Sequence, residues 1–529
     1  MTDNDMAGAG LASGPPPKPR AHGPAAGRTV ARNVVLSIAA QFAPLLAAVI
    51  SMPYLARFLG PARLGLLTLF WVILGYSSLL DLGMSVALTR AVSKADAAGE
   101  HQRIPGIFWT AIMSQLIMGA VGTIVLLAAT PFVVNSLLNV PKALIADAEL
   151  ALFACAAGIP LLLVSSSAIG LLQAVQRFDL TTRVQIPVSV SQYILAALCS
   201  LWWPSLFLIV VTLLATRCIG TALLYRTACR VFPGLQEGFT FDFNEFPSML
   251  RFGGWLTVSN LVGPLQVYAD RFIIGSVFTV SAVAYYSVPL DASMRLLLIP
   301  ASLMTAVFPA LSAAGVNGCE RVTQLSARSV RCICFTLGVP VTVAIVFSYD
   351  IMRAWMGAPF AAQSAPVLRI ILLGIAANAL ARVSLAVLNA SGRSDITAKI
   401  QLIELPFQMA ATLLLLRLYG LRGAAWAWTA RLVFETVVLF LFTKRVSGCR
   451  LLSVFDARLG IGIGALACLG FLEAALLTTS SVPLVRAVFG VSLLGGGLVA
   501  AWRWYLWSSD RREILQEVLR LWGGRPRFA

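Results

Sequence analysis

The chain has 529 residues, of which 58% are hydrophobic and 12% charged, and its mean hydropathy is +0.84. A soluble domain carries about 25% charged residues, and a water-facing fold cannot hide this much apolar surface behind so little charge. Soluble-enzyme and nucleic-acid-binding classes are excluded, because the +17 net charge is spread along the whole length instead of forming one basic stripe.

Two histidines and no Cys-x-x-Cys or His-Glu-x-x-His pattern leave no recognisable metal site. Cys332 and Cys334 are the only close pair among nine cysteines, most of which read as packing thiols in apolar segments. Residues 1–30 contain Gly14-Pro15-Pro16-Pro17-Lys18-Pro19-Arg20 and no apolar stretch that could serve as the core of a signal peptide. They read as a disordered cytoplasmic tail.

A bilayer core is crossed by roughly 20 apolar residues in a helix, because backbone groups in lipid must be bonded within the segment. Such runs fall at 33–58, 64–89, 105–131, 149–173, 184–202 and 205–226. After a polar stretch they resume at 252–273, 282–313, 329–350, 366–390, 399–417 and 423–443, followed by 456–478 and 483–507. The expectation is an all-α polytopic membrane protein of about fourteen helices. Its expected domains are an N-lobe over 31–230, a cytoplasmic linker over 231–250, a C-lobe over 251–446, and two additional helices with a C-terminal tail over 447–529.

With the N-terminus in the cytoplasm, the inner tails and loops hold 27 Lys/Arg and the outer loops 8. The outer set is Arg57, Arg63, Lys142, Arg271, Arg353, Arg417, Arg422 and Arg486. That asymmetry obeys the positive-inside rule and predicts both termini inside.

The halves repeat at an offset of 216 residues. Gly158-Ile159 matches Gly374-Ile375. The polar loop Leu172, Ala174, Arg177, Asp179, Thr181, Gln185 matches Leu388, Ala390, Arg393, Asp395, Thr397, Gln401 in register. Six spans separate equivalents, so the repeats run parallel, an arrangement of transporters with the substrate route between halves.

No Gly-x-x-x-x-Gly-Lys-[Ser/Thr] loop occurs. The longest outer loop, 132–148, offers only Lys142 and Asp147, too little for a membrane-embedded glycosyltransferase or ligase, which is the enzyme alternative. No enzyme activity is expected.

Two stretches carry a family likeness. Tyr54-Leu55-Ala56-Arg57-Phe58-Leu59-Gly60-Pro61-Ala62-Arg63-Leu64-Gly65-Leu66 joins spans 1 and 2, and Leu80-Asp81-Leu82-Gly83-Met84 with Ala87 and Thr89-Arg90 ends span 2. Both resemble the polysaccharide transporter (Wzx-type repeat-unit flippase) family of the MOP flippase superfamily. Ala284-Tyr285-Tyr286-Ser287 and Phe308-Pro309-Ala310-Leu311-Ser312 are similar to its span 8. The resemblance implies two six-helix lobes around a central cavity. It also implies outward movement of an undecaprenyl-diphosphate-linked oligosaccharide across the bacterial inner membrane by alternating access. Polysaccharide polymerase and export machinery would be partners beside membrane lipids. No cofactor is implied, with an H+ or Na+ gradient as the candidate drive. The lipid II flippases and MATE drug exporters share the fold, and a MATE-like exporter is the alternative function.

An ionised side chain at mid-bilayer costs about 2.5–3.5 kcal/mol on insertion scales. The spans contain Arg217, Arg295, Arg369, Arg382 and Arg431 against Asp81, Asp291, Glu404 and Glu435. Asp291/Arg295 and Arg431/Glu435 are spaced i,i+4, which puts each pair on one helix face. Arg217, Arg295, Arg382 and Arg431 are expected to hold a diphosphate, since the planar guanidinium grips phosphate through paired bonds. Arg382 lacks an i±4 acid and is the sharpest candidate, whereas Arg369 reads as snorkelling to the surface. Asp291, Glu404, Glu435 and Asp81 are the candidate coupling acids, with Glu404 close to the helix-interrupting Pro406. Gln41 and Pro44 in span 1, and Asn260, Pro264 and Gln266 in span 7, suggest hinge-lined cavity walls.

Overall fold

The computed structural model describes residues 24–76, 80–236, 263, 265–447 and three positions between 495 and 499, with side chains from residue 42 onward except 76, 315–317, 394 and 447. The expected spans 13 and 14, residues 1–23 of the tail and most of the linker lie outside the described residues.

Every regular element among the described residues is a helix, and ten stretches are long and apolar enough to cross a membrane. In chain order the α-helices are α1 (Pro24–Tyr76), α2 (Met84–Ala97), α3 (Ile104–Phe132), α4 (Ile145–Ala174), α5 (Phe178–Trp202), α6 (Leu206–Val231) and α7 (265–277). They continue with α8 (Val280–Met294), α9 (Leu298–Asn317), α10 (Cys319–Val346), α11 (Ser348–Met356), α12 (Ala358–Ala390), α13 (Ser394–Tyr419) and α14 (Leu421–Ser447).

Several differences from the sequence expectation have local causes. α1 begins at Pro24, inside the expected tail, and contains span 1 and the first part of span 2. Gly60, at φ 73 and ψ 168, marks the kink between them, a conformation glycine adopts without a Cβ clash. Span 2 is broken again at Leu80–Gly83, where Leu82 (φ 46) and Gly83 (φ 70) are left-handed and α2 starts afresh. Span 8 is interrupted by a 3-10 turn at Arg295–Leu297. The chain beyond span 9 forms the separate short helix α11 instead of a loop.

The 216-residue repeat is a repeat of structure. Leu172 O accepts the Arg177 N–H at 2.9 Å, and Leu388 O accepts the Arg393 N–H at 2.9 Å. Gln176 and Gly392 hold equivalent left-handed positions, at φ 58 and 72. In both loops the arginine Nε meets the aspartate Oδ1 at 3.1 Å. Gly158 lets α4 approach Leu214 on α6, and Gly374 lets α12 approach Trp428 and Thr429 on α14; an added Cβ would lie 2.3 and 3.0 Å from those neighbours.

The halves share one core at the end where the odd-to-even connections gather. The largest hydrophobic cluster joins Leu55, Leu64, Leu69 and Leu138 of the first half to Ile274, Val280, Ala284 and Tyr286 of the second. There Gly65 packs so tightly that a Cβ would meet the Val280 carbonyl oxygen. At the opposite end each half has clusters of its own. Met84, Leu88, Phe108 and Ala228 form one in the first half, and Leu388, Ile396, Ile400 and Leu439 form another in the second. Among the described residues the molecule is thus sealed at one end and divided at the other.

Candidate functional site

A cavity of about 580 Å³ lies between the halves. Its first-half wall carries Trp71, Ser165, Ser166, Gln192, Tyr193 and Arg217, and its second-half wall carries Tyr268, Arg271, Asp291, Arg295 and Trp355. Three guanidinium groups therefore face one carboxylate. Trp71 and Tyr193 meet edge to face at 5.5 Å, and Arg217 Nη2 donates to Gln192 Oε1 at 3.2 Å, leaving its Nε without a partner.

The expected i,i+4 pair Asp291–Arg295 does not form. Asp291 Oδ1 instead takes Arg271 Nη2 at 2.5 Å from α7, and the 3-10 turn starting at Arg295 removes the regular helical spacing. Arg271 was expected in an outer loop. Helix α7 runs past it to residue 277, and its side chain is 3% exposed with the guanidinium 4.9 Å from the Tyr268 ring centroid.

The four expected diphosphate ligands do not share a site. Arg217 and Arg295 line the central cavity, whereas Arg382 and Arg431 line a second one of about 200 Å³ within the second half, with Gln266, Asn378, Gln401 and Glu435. There Arg431 Nη1 lies between Glu435 at 3.3 Å and Glu404 at 3.7 Å. The expected Arg431–Glu435 pair forms, but it is one side of a three-membered buried group. Arg382 Nε and both Glu404 carboxylate oxygens have no hydrogen-bond partner. Arg369, exposed on α12, donates from Nε to Ser348 Oγ at 2.5 Å.

Gln266 bonds the Gln401 carbonyl at 2.9 Å, and its own carbonyl accepts from Gln408 at 2.7 Å. The Gln41 side chain, Asn260 and Pro264 lie outside the described residues.

Asp81 is buried in the first half. Gln115 and Ser166 donate to its Oδ1, and the Ser85 backbone and hydroxyl donate to Oδ2 at 3.2 and 2.6 Å. It thereby braces the break before α2, and Ser166 links it to the central cavity. Asp147 caps α6: it accepts from Ser205 Oγ at 2.8 Å and the Leu206 and Phe207 N–H groups at 2.9 and 3.2 Å. That employment accounts for the one acid of the longest outer loop.

Sequence reasoning missed Asp270 and Arg271. Asp270 is fully buried among Tyr286 (3.1 Å), Thr412 (3.0 Å) and Gln408 (3.3 Å). The adjacent Asp-Arg dipeptide near the end of span 7 was the available signal.

Residues 30–314, more than half of the chain, match the family described as polysaccharide biosynthesis protein. The chain belongs to that family. A Shigella flexneri member named as an O-antigen transporter is 28% identical over 429 residues, covering 79% of this chain and 99% of that protein. Among solved structures, the lipid II flippase MurJ in an inward closed conformation aligns with TM-score 0.68 at 13% identity, over 91% of this chain and all of that one. An inward-facing MATE family transporter of the MOP superfamily aligns with TM-score 0.62 at 15% identity, over 77% and 95%. The polysaccharide biosynthesis protein described here thus shares its helical fold with the MATE transporter of the MOP superfamily and with MurJ.

Proposed function

We propose that the chain moves an undecaprenyl-diphosphate-linked oligosaccharide repeat unit from the inner to the outer leaflet of the bacterial inner membrane by alternating access, with both termini cytoplasmic. The observation that carries this reading is the central cavity, where, among the described residues, Arg217, Arg271 and Arg295 line the same space as one acid, Asp291. A cavity with excess guanidinium and an aromatic, amide and hydroxyl wall suits a ligand that joins phosphate to sugar. The likeness to a protein named as an O-antigen transporter supports the same substrate class. A shared core at one end and separate clusters at the other suit a carrier whose substrate enters from the divided end, here assigned to the cytoplasm. An ion gradient, with Glu404 as the coupling acid, is the proposed drive.

Reconstitution tests the reading. Proteoliposomes holding a fluorescent polyprenyl-diphosphate oligosaccharide in both leaflets should transfer label to the quencher-accessible leaflet only when the protein is present. Protein-independent transfer, or uptake of a lipophilic cation in place of the lipid, would reject it.

A further inference from the structure

Arg271, the central-cavity arginine paired with a carboxylate, is also deeply buried in the cavity wall. Arg271 is 3% exposed and Asp291 is 37% exposed, so the carboxylate is the more accessible member of the pair. Arg271 Nε has no hydrogen-bond partner, and the Tyr268 ring lies beside the same guanidinium. Arg295 is exposed on the cavity wall, and among the described residues the hydrogen bond of Arg217 goes to the neutral Gln192 amide.

A buried guanidinium needs a negative partner, because removing one member of a buried pair leaves an uncompensated charge in low dielectric. Carboxylate and phosphate present similar paired oxygens to the arginine fork. We propose that Asp291 is a resident counter-anion: it neutralises Arg271 while the cavity is empty and is displaced when a substrate phosphate takes its place. The proposal rests on the anionic-substrate reading above. Arg295 and Arg217 receive the incoming phosphates, and the substrate gains Arg271 only by breaking the Asp291 pair. The pair weakens binding and speeds release, and its re-formation lets the empty carrier return without a bare buried cation. No covalent step is involved.

The test uses the full chain in nanodiscs with farnesyl diphosphate as the probe, measured by calorimetry. Arg295→Gln should weaken binding at least tenfold, since it removes an exposed ligand. Asp291→Asn should tighten binding about ten- to a hundredfold, the range for one charge-assisted contact, and slow lipid transfer. Arg271→Gln should weaken binding by leaving Asp291 as an unpaired repelling charge. Arg271→Gln combined with Asp291→Asn should restore it at least tenfold relative to Arg271→Gln alone. That comparison carries the test if Asp291→Asn does not fold. Weaker or unchanged binding in Asp291→Asn, or a double variant no better than Arg271→Gln, overturns the counter-anion while leaving the site intact. Unchanged binding in both Arg295→Gln and Arg217→Gln overturns the anionic site itself.

Discussion

The indole Nε1 of Trp355 donates to the backbone carbonyl of Val49 at 2.8 Å, from α11 of the second half to α1 of the first. That carbonyl is free because the residue four positions on is Pro53, which has no N–H to return to it. The helix interruption and the inter-half bond are one feature. Thr123 fills the same need at Ala156, bonding at 2.8 Å the carbonyl that Pro160 leaves open, but within one half. Both Trp355 and Val49 line the central cavity, so their bond closes its wall at the sealed end.

Trp355→Phe keeps the ring and removes the donor. Losing one hydrogen bond of about 1 kcal/mol should raise the population separated at that end several-fold. Spin-label distances between α1 and α11 measure it. An unchanged distance distribution in a folded Trp355→Phe variant would show that the bond follows closure without favouring it.

Asn139 makes a denser version of the same contact. Its side-chain amide donates to the carbonyls of Ser276 and Phe278, both at 2.7 Å, and its backbone N–H donates to Gly275 at 2.9 Å. The end of α7 is therefore capped from the other half, satisfying carbonyls that a helix terminus leaves open. Asn139→Asp replaces the amide nitrogen, which makes both bonds, with a carboxylate oxygen that faces the two carbonyls, and should open the sealed end more than Asn139→Ala. Faster amide exchange over 275–282, ordered wild type, alanine, aspartate, is the expected result. Equal exchange in all three would remove Asn139 from the seal.

Much of this architecture was legible because it is written in local pattern. Helix positions follow apolar runs, and the Arg177–Asp179 and Arg393–Asp395 loops repeat in both residue type and hydrogen bonding. The site was harder to read because its pairs join different helices. An i,i+4 rule linked Asp291 to Arg295, whereas the observed partner, Arg271, lies twenty residues earlier on α7. Placing the end of span 7 at 273 put Asp270 and Arg271 near the interface, since a hydropathy window dilutes two adjacent charges among apolar neighbours. Arg217 and Arg431 lie 214 residues apart, two short of the repeat offset, yet they line different cavities.

Glu404 is 5% exposed and shares Arg431 with Glu435, while neither of its oxygens receives a hydrogen bond. Of the candidate coupling acids it has the weakest local support, whereas Asp81 is held by neutral donors on both oxygens. Glu404→Gln leaves the closer Arg431–Glu435 pair in place, so the fold should persist. Transport measured with and without an imposed ion gradient should lose its gradient response in Glu404→Gln and retain it in Asp81→Asn. Retention in Glu404→Gln would assign that carboxylate to structure alone.

The two cavities make opposite demands on their arginines, and this decides which substitution stops transport directly. Arg295 faces the central space, where guanidinium outnumbers carboxylate, and its charge is available to a ligand. Arg382 lies in the smaller cavity, where Arg431 is already matched by Glu435 and Glu404. A ligand contact by a charged fork is worth roughly 1.5–3 kcal/mol, so Arg295→Ala should lower occupancy about ten- to a hundredfold. Arg295→Lys, which keeps the charge without the fork, should recover part of the loss. Arg382→Ala removes a cation that shares the smaller cavity with Glu435, and its effect should appear first as lowered thermal stability and altered ion dependence, with farnesyl diphosphate affinity near that of the parent. Measuring affinity and melting temperature on both variants separates the two roles. If Arg382→Ala loses diphosphate affinity as steeply as Arg295→Ala while melting like the parent, the smaller cavity is part of the substrate path, and the division between a binding cavity and a buried charge group is wrong.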